Sequence, residues 1–165
     1  MKTLKRRRRE QKTDYQKRIK LIKSGSPRIV FRKTNRYVLA QYITSKEAMD
    51  KIEFGLTSKA LIKYGWPEEK AGSLKSIPAS YFLGFLTGKR IIKEKLETPV
   101  IDFGMIRALH KNRTFAFLKG LKDSGIKIKC KNEAFPDENR IKGQHLKKDF
   151  SKMFEEIKSK IESEK

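Results

Sequence analysis

The stretch Arg28-Ile29-Val30-Phe31-Arg32-Lys33-Thr34-Asn35-Arg36-Tyr37-Val38-Leu39-Ala40-Gln41-Tyr42-Ile43 decides the fold. Its two halves are rich in Ile, Val, Phe and Tyr, residues that suit a pleated, half-buried surface. Thr34-Asn35 between them is polar and turn-forming, so Pro27–Lys33 and Arg36–Ile43 read as the arms of a β-hairpin. Along the first arm Arg28, Val30 and Arg32 alternate with Ile29, Phe31 and Lys33, which sends cations to both faces. Lys51–Thr57 alternates again, with Ile52, Phe54 and Leu56 on one side, and predicts a third strand.

Beyond the hairpin the pattern changes period. Ser58–Trp66 reads as a helical turn that closes at Gly65-Trp66-Pro67, with Trp66 as a packing anchor. Pro78 then opens a long helix, as proline does at a first helical position. Ala79, Phe82, Leu83, Phe85, Leu86, Ile91 and Ile92 supply its apolar content. Gly84 and Gly88, one turn apart on one face, predict a close approach to a sheet. Val100-Ile101-Asp102-Phe103 reads as a short strand buried on both faces. Thr114 is the expected cap of a helix that Gly125 stops, and Ile126, Ile128 and Cys130 alternate with Lys127 and Lys129 in a last strand. After a loop over Phe135–Gln144, a final helix carries the stripe Leu146, Phe150, Met153, Phe154, Ile157 and Ile161, which predicts packing onto the sheet.

Three strands followed by helix, strand, helix, strand and helix give an α/β fold: a mixed sheet with helices on both faces. That order resembles the ribonuclease-H-like topology. Residues 27–165 form the expected α/β domain with its C-terminal amphipathic helix, and residues 1–26 an extended basic N-terminal arm with a short helix.

Charge points to the partner. The 165 residues hold 41 Lys plus Arg against 19 Asp plus Glu, a net charge of +22. Fifteen of those cations, against Glu10 and Asp14 alone, lie in residues 1–36, so more than half of the surplus sits in about a fifth of the chain. A polyanion, nucleic acid first, is the partner such a surplus selects. No apolar run approaches the roughly 20 residues of a membrane span, and no apolar segment follows the basic N-terminus as in a secretory signal. A lone cysteine and two histidines argue against disulfides and zinc, and for a reducing, cytosolic compartment.

The arm is densest at Lys5-Arg6-Arg7-Arg8-Arg9, which is too polar to fold alone. Thr13-Asp14-Tyr15-Gln16 then has the form of a capping box with Thr13 as N-cap. Tyr15, Ile19 and Ile22 share one helical face, Lys17, Arg18, Lys20 and Lys23 occupy the others, and Gly25 suits the C-terminal stop. A narrow apolar seam ringed by cations reads as a helix wedged between protein and phosphate. The seam is too thin, and lacks the Trp or Phe, for a membrane surface.

Several short strings in order resemble one family. They are Arg6-Arg7-Arg8-Arg9-Glu10 with Thr13-Asp14-Tyr15, Lys23-Ser24-Gly25, Arg32-Lys33-Thr34-Asn35, Tyr64-Gly65-Trp66, Ile77-Pro78-Ala79, Gly88-Lys89-Arg90 and Asp102-Phe103-Gly104. Asp123-Ser124-Gly125 and Phe135-Pro136-Asp137-Glu138, with Arg140, Gly143 and His145, continue the series. Together they resemble the 5S-rRNA-binding ribosomal protein L-eighteen family, in its archaeal and eukaryotic form. The resemblance implies a structural protein of the large ribosomal subunit that clamps 5S rRNA and seats it against the large rRNA in the central protuberance, beside neighbouring ribosomal proteins. It implies RNA contacts from Lys5, Arg6, Arg7, Arg8, Arg9, Thr13, Asp14, Tyr15, Arg18, Lys20 and Lys23, joined by Arg28, Arg32, Lys33, Asn35 and Arg36 of the hairpin. It implies no cofactor, metal, small-molecule substrate or membrane. Met105–Arg113, with its unexpected His110, departs from the family pattern, and so does the short Thr44–Asp50 connection. The family's long eukaryotic C-terminal extension is not matched, which points to the archaeal type.

Catalytic readings find little footing. Nucleases of ribonuclease-H-like topology hold two metal ions with convergent carboxylates, the first on the opening strand. Pro27–Lys33 has no acid, Asp102 is alone on its strand, where a hydrogen-bonding role is expected, and Glu53 has no evident companion. His110 and His145 stand outside any nucleophile or acid spacing, and Cys130 reads as a small core residue.

Overall fold

The computed structural model describes residues 3–47, 49–107, 109–145 and 150–163, with all of their side chains except those of 69–71. In chain order the elements are α1 (Arg6–Arg9), α2 (Tyr15–Lys23), β1 (Arg28–Lys33), β2 (Val38–Lys46), β3 (Met49–Thr57), α3 (Ile77–Lys93), β4 (Val100–Asp102), α4 (Arg113–Asp123), α5 (Glu138–Ile141) and α6 (Ser151–Ser163). Two 3-10 segments, Ser58–Tyr64 and Glu68–Ser73, link β3 to α3, and a third spans Asn132–Ala134.

The four strands form one mixed sheet in the order β3-β2-β1-β4, with β4 parallel to β1 and the other pairs antiparallel. The hairpin is present, in the register Arg28↔Ile43 to Lys33↔Val38. Its loop is longer than expected, because β2 starts at Val38 and Thr34–Tyr37 closes on itself. There the Tyr37 amide donates to Thr34 Oγ1 at 2.9 Å, and the Thr34 amide to the Tyr37 carbonyl at 2.9 Å. At the other end the strands extend to Lys46 and from Met49, so little loop remains in Thr44–Asp50.

The third strand runs as expected with one correction. Tyr42 pairs with Phe54 but Ile43 pairs with Ile52, so Glu53 is an extra residue in a β-bulge. The bulge turns Ile52 away from Phe54, leaving Ile52 exposed and Phe54 buried. Plain alternation cannot reveal this, because one inserted residue inverts every side chain beyond it.

The sheet has two unlike faces. Ile29, Phe31, Val38, Ala40, Tyr42 and Phe54 form one buried cluster with Leu83 and Ile91 of α3 and Phe117, Leu118 and Leu121 of α4. On the opposite face lie Arg28, Val30 and Arg32, and the arm with α2 covers that side. A second cluster joins Leu61, Trp66 and Leu74 to Tyr81, Phe82 and Phe85 of α3 and to Phe150, Phe154, Ile157 and Ile161. The stripe of α6 therefore packs on α3 and the 3-10 connection rather than on the sheet, with Phe154 4.5 Å from Phe82 between ring centres. Leu146 lies outside the described residues. Trp66 is the anchor expected of it, tilted against Phe150 at 4.8 Å.

Three further expectations change. Ile126–Cys130 forms no ladder: Ile126 is buried, Ile128 and Cys130 pack on the core, and Lys127 and Lys129 face solvent. Alternation there records which side faces the core, not backbone pairing, so the fifth strand of the ribonuclease-H-like order is missing among the described residues. β4 is not buried on both faces, since Val100 is exposed. Gly84 and Gly88 approach a helix, not a sheet: Gly84 meets the backbone of Phe117 in α4, and Gly88 meets Ser124.

Candidate nucleic-acid interface

The arm begins with one helical turn, α1, whose Arg6 and Arg9 are exposed while Arg8 is half-buried. Arg7 Nε donates to Thr13 Oγ1 at 3.0 Å, and Arg8 stands 3.4 Å from Asp14. Arg6 reaches Glu10 at 3.6 Å, a highly exposed pair of little energetic weight. Lys5 sits over the ring of the half-buried Tyr15 at 4.8 Å.

Asp14, not Thr13, caps α2: its carboxylate accepts from the amides of Gln16 at 3.1 Å and Lys17 at 3.3 Å. Aspartate outranks threonine as an N-cap and also suits the positive end of the helix, which leaves Thr13 free to hold Arg7. Gly25, at φ +65°, follows the last turn as expected. Two side chains fix α2 to the body. Lys17 Nζ donates to the Gly104 carbonyl at 3.3 Å, and Arg18 Nη2 to Asp50 Oδ2 at 2.8 Å.

Asp50 is shared. Arg28 Nη2 donates to its Oδ1 at 2.6 Å and to Ser45 Oγ at 3.0 Å, while Arg28 itself is only 2% exposed. Partial burial pushes the Asp50 pKa up, but the Ser45 hydroxyl and the two guanidinium groups outweigh it and hold the carboxyl below its ordinary value. Arg32 makes the matching contact on the other side: its guanidinium donates to the Phe31 and Asp102 carbonyls at 2.8 and 3.0 Å and to Asp102 Oδ2 at 3.1 Å. Asp102 Oδ1 accepts from the Gly104 amide at 2.7 Å. Gly104 has the left-handed φ of +61° that favours glycine, and a Cβ there would stand 2.9 Å from the Arg32 guanidinium carbon and push that side chain aside. Asp102 is thus a hydrogen-bond acceptor at a strand end.

Of the sixteen residues expected at the interface, Thr13 and Tyr15 hold Arg7 and Lys5, and the other fourteen fall into two tiers. Arg8, Asp14, Arg18, Arg28 and Arg32 are inner struts, each holding an opposite charge. Asp14, Arg18, Arg28 and Arg32 line a polar niche of about 120 Å³ between arm and sheet. Arg28 has no surface to offer a ligand. Lys20 and Lys23 on α2, Arg9 on the arm and Lys33 and Arg36 at the hairpin tip are exposed. Among the described residues their side chains have no hydrogen bond or ion pair. Asn35 stands with the hairpin pair, and Lys5, Arg6 and Arg7 keep exposed heads on local partners. The sequence reading missed Lys17, Asp50 and Gly104 as parts of this assembly. Asp50 pairs with Ser45 near the β2–β3 turn, and only that long strand pairing carries it back to Arg28.

Among the described residues no three His, Cys, Asp or Glu gather as a metal site would require, and no helix is long and apolar enough to cross a membrane. His110 packs edge-on against Phe115 at 5.4 Å. Glu53 accepts from Thr44 at 2.9 Å and pairs with Lys51 at 3.0 Å.

Comparison with known proteins places the sequence in a family. A family model described as "Ribosomal large subunit proteins 60S L5, and 50S L18" matches residues 1–99. The chain is 42% identical over 151 residues to a protein of Korarchaeum cryptofilum named "Large ribosomal subunit protein uL18", covering 92% of this chain and 75% of that one. A protein of the same name in Methanothermobacter thermautotrophicus is 36% identical, covering 96% and 94%. Another in Thermofilum pendens is 37% identical, covering 91% and 74%. With more than half of the chain matched and relatives of this identity along nearly its full length, the chain belongs to the family of large-subunit ribosomal proteins L5 and L18, whose members are structural proteins and not enzymes.

Proposed function

We propose that the chain binds 5S rRNA through its arm (residues 1–26), α2 and the hairpin tip, and helps to seat it on the large rRNA in the central protuberance. The α/β body of residues 27–165 is the platform, and the assembled cytoplasmic ribosome is its place of work. The observation that carries this reading is the two-tier arrangement. Arg18, Arg28 and Arg32 spend their charge on Asp50 and Asp102 to fix the geometry. Arg9, Lys20, Lys23, Lys33 and Arg36 are thereby held outward for phosphates. Folded RNA is gripped through phosphates, 2′-hydroxyls and shape, and the forked guanidinium groups of Arg6, Arg7 and Arg9 suit phosphate oxygens. The relatives' name, a large ribosomal subunit protein, supplies the assembly in which that RNA is met.

The test replaces Arg6, Arg7, Arg8 and Arg9 with Ala in the full chain. Each lost phosphate contact removes about 0.7–0.9 from the log–log salt slope, so the loss of Arg6, Arg7 and Arg9, with Arg8 held by Asp14, should lower it by about 2–3 for binding to 5S rRNA. An unchanged slope refutes a phosphate-binding arm.

A further inference from the structure

A second basic feature opens on the opposite side of the sheet from the arm. A cleft of about 460 Å³ lies where the end of β1 meets the first turns of α3 and α4 and the α5 region. Lys33, Lys111, Arg113, Arg140 and His145 line it, and no carboxylate does. On β1, Arg28 and Arg32 point to the arm side, whereas Lys33 follows Ile29 and Phe31 to this one.

We infer that this cleft takes the phosphodiester backbone of a second RNA segment, separate from the one on the arm face. The inference rests on the reading of the chain as an rRNA-binding protein. Its first support is missing counter-charge. On the arm side Arg8, Arg18, Arg28 and Arg32 each have an acid. In the cleft only Lys111 has one, Asp137 at 3.2 Å, with both side chains more than half exposed. The side chains of Lys33, Arg113 and Arg140 have no hydrogen bond or ion pair among the described residues. Like charges gathered without an acid repel one another until a polyanion joins them. A second support is local. α3 and α4, of 17 and 11 residues, both start at the cleft, and their positive ends add to the cationic potential there. Third, the apolar part of the lining is confined to Phe31, which is 1% exposed, and to the half-buried Ile77 and Ile106, so no fully exposed apolar side chain stands in the cleft as an anchor site.

The test uses the full chain with Arg113→Gln and Arg140→Gln together, and Lys33→Gln with Lys111→Gln as an independent pair. Binding is titrated with salt against 5S rRNA and against a large-subunit rRNA transcript. Circular dichroism and the urea midpoint check the fold. The Arg113 and Arg140 pair is expected to lower the slope by about 1.4–1.8 for whichever RNA fills the cleft and to leave the other RNA nearly untouched. The Lys33 and Lys111 pair should lower it as much for that RNA, and by no more than the one Lys33 contact, about 0.7–0.9, for 5S rRNA if that RNA is the other. Slopes equal to the wild type for both RNAs, in both folded pairs, overturn the inference. A photo-crosslinking residue at position 111 in assembled subunits should then capture RNA, and capture of protein alone also overturns it. If the wild type fails to select 5S rRNA while the cleft pairs still lose slope, the 5S reading fails and the cleft stands.

Discussion

The closest helix contact in the molecule allows a quantitative test of the packing. α3 and α4 cross at glycines from both sides: a Cβ on Gly84 would overlap the Phe117 carbonyl oxygen and stand 3.0 Å from the Phe117 carbonyl carbon. One on Gly120 would overlap the Tyr81 carbonyl oxygen and stand 2.8 Å from the Phe85 amide nitrogen. Nonbonded carbons need about 3.5–4 Å, so Gly84→Ala forces the two backbones apart by at least about 0.5 Å. The obstructing atoms are backbone, so no rotamer change relieves the clash. Alanine gains about 1 kcal/mol in helix propensity, whereas overpacking of this kind costs about 3 kcal/mol or more. The net expectation is a loss of about 2–3 kcal/mol, or about 4–12 °C in Tm for a chain of this size. Gly72→Ala is the control: among the described residues nothing lies within 4 Å of its Cβ position, and its φ is not left-handed, so stability should hold or rise by up to about 1 kcal/mol. Urea unfolding followed by circular dichroism reads both. A Gly84→Ala protein within about 0.5 kcal/mol of the wild type would show that the helices do not meet as described.

Two further perturbations probe the struts. Asp50→Asn strips the charge that holds the buried Arg28, at a cost of about 1.5–3 kcal/mol near neutral pH, read from urea midpoints. Because the folded Asp50 pKa is depressed, its contribution is complete above the unfolded value of about 3.9 and disappears as pH falls through the lower folded value. The wild type should therefore lose stability below about pH 4 more steeply than the Asn variant, and parallel curves would contradict the shared ion pair. The two tiers should also separate: Arg28→Gln lowers the unfolding midpoint and leaves the RNA salt slope nearly intact. Lys20→Gln with Lys23→Gln lowers the slope by about 1.5–2 and spares the midpoint. The reverse pattern would invert the assignment.

The parts of this fold legible in the sequence are those that repeat with a period. The hairpin, α3, α4 and the α6 stripe follow from alternation or helical spacing, because burial of one face imposes that spacing. The parts that escaped are decided by partners distant along the chain. The bulge at Glu53 depends on how β3 registers with Tyr42 and Ile43. The glycines of α3 marked a close approach correctly, but only the fold shows that α4, with its own Gly120, is what approaches. Likewise Arg28 and Lys20 look alike in sequence, as cations near an arm. Only the return of Asp50 along β3 makes the first a buried strut and leaves the second facing outward.

The central claim is selective binding of 5S rRNA, and one competition experiment addresses it directly. The full chain is bound to labelled 5S rRNA across a range of salt, in the presence of excess transfer RNA or a plain RNA duplex. The account predicts a steep salt slope together with affinity for 5S rRNA that survives both competitors at moderate salt. Equal affinity for all three RNAs, vanishing together as salt rises, would contradict it and leave a polycation without a preferred RNA.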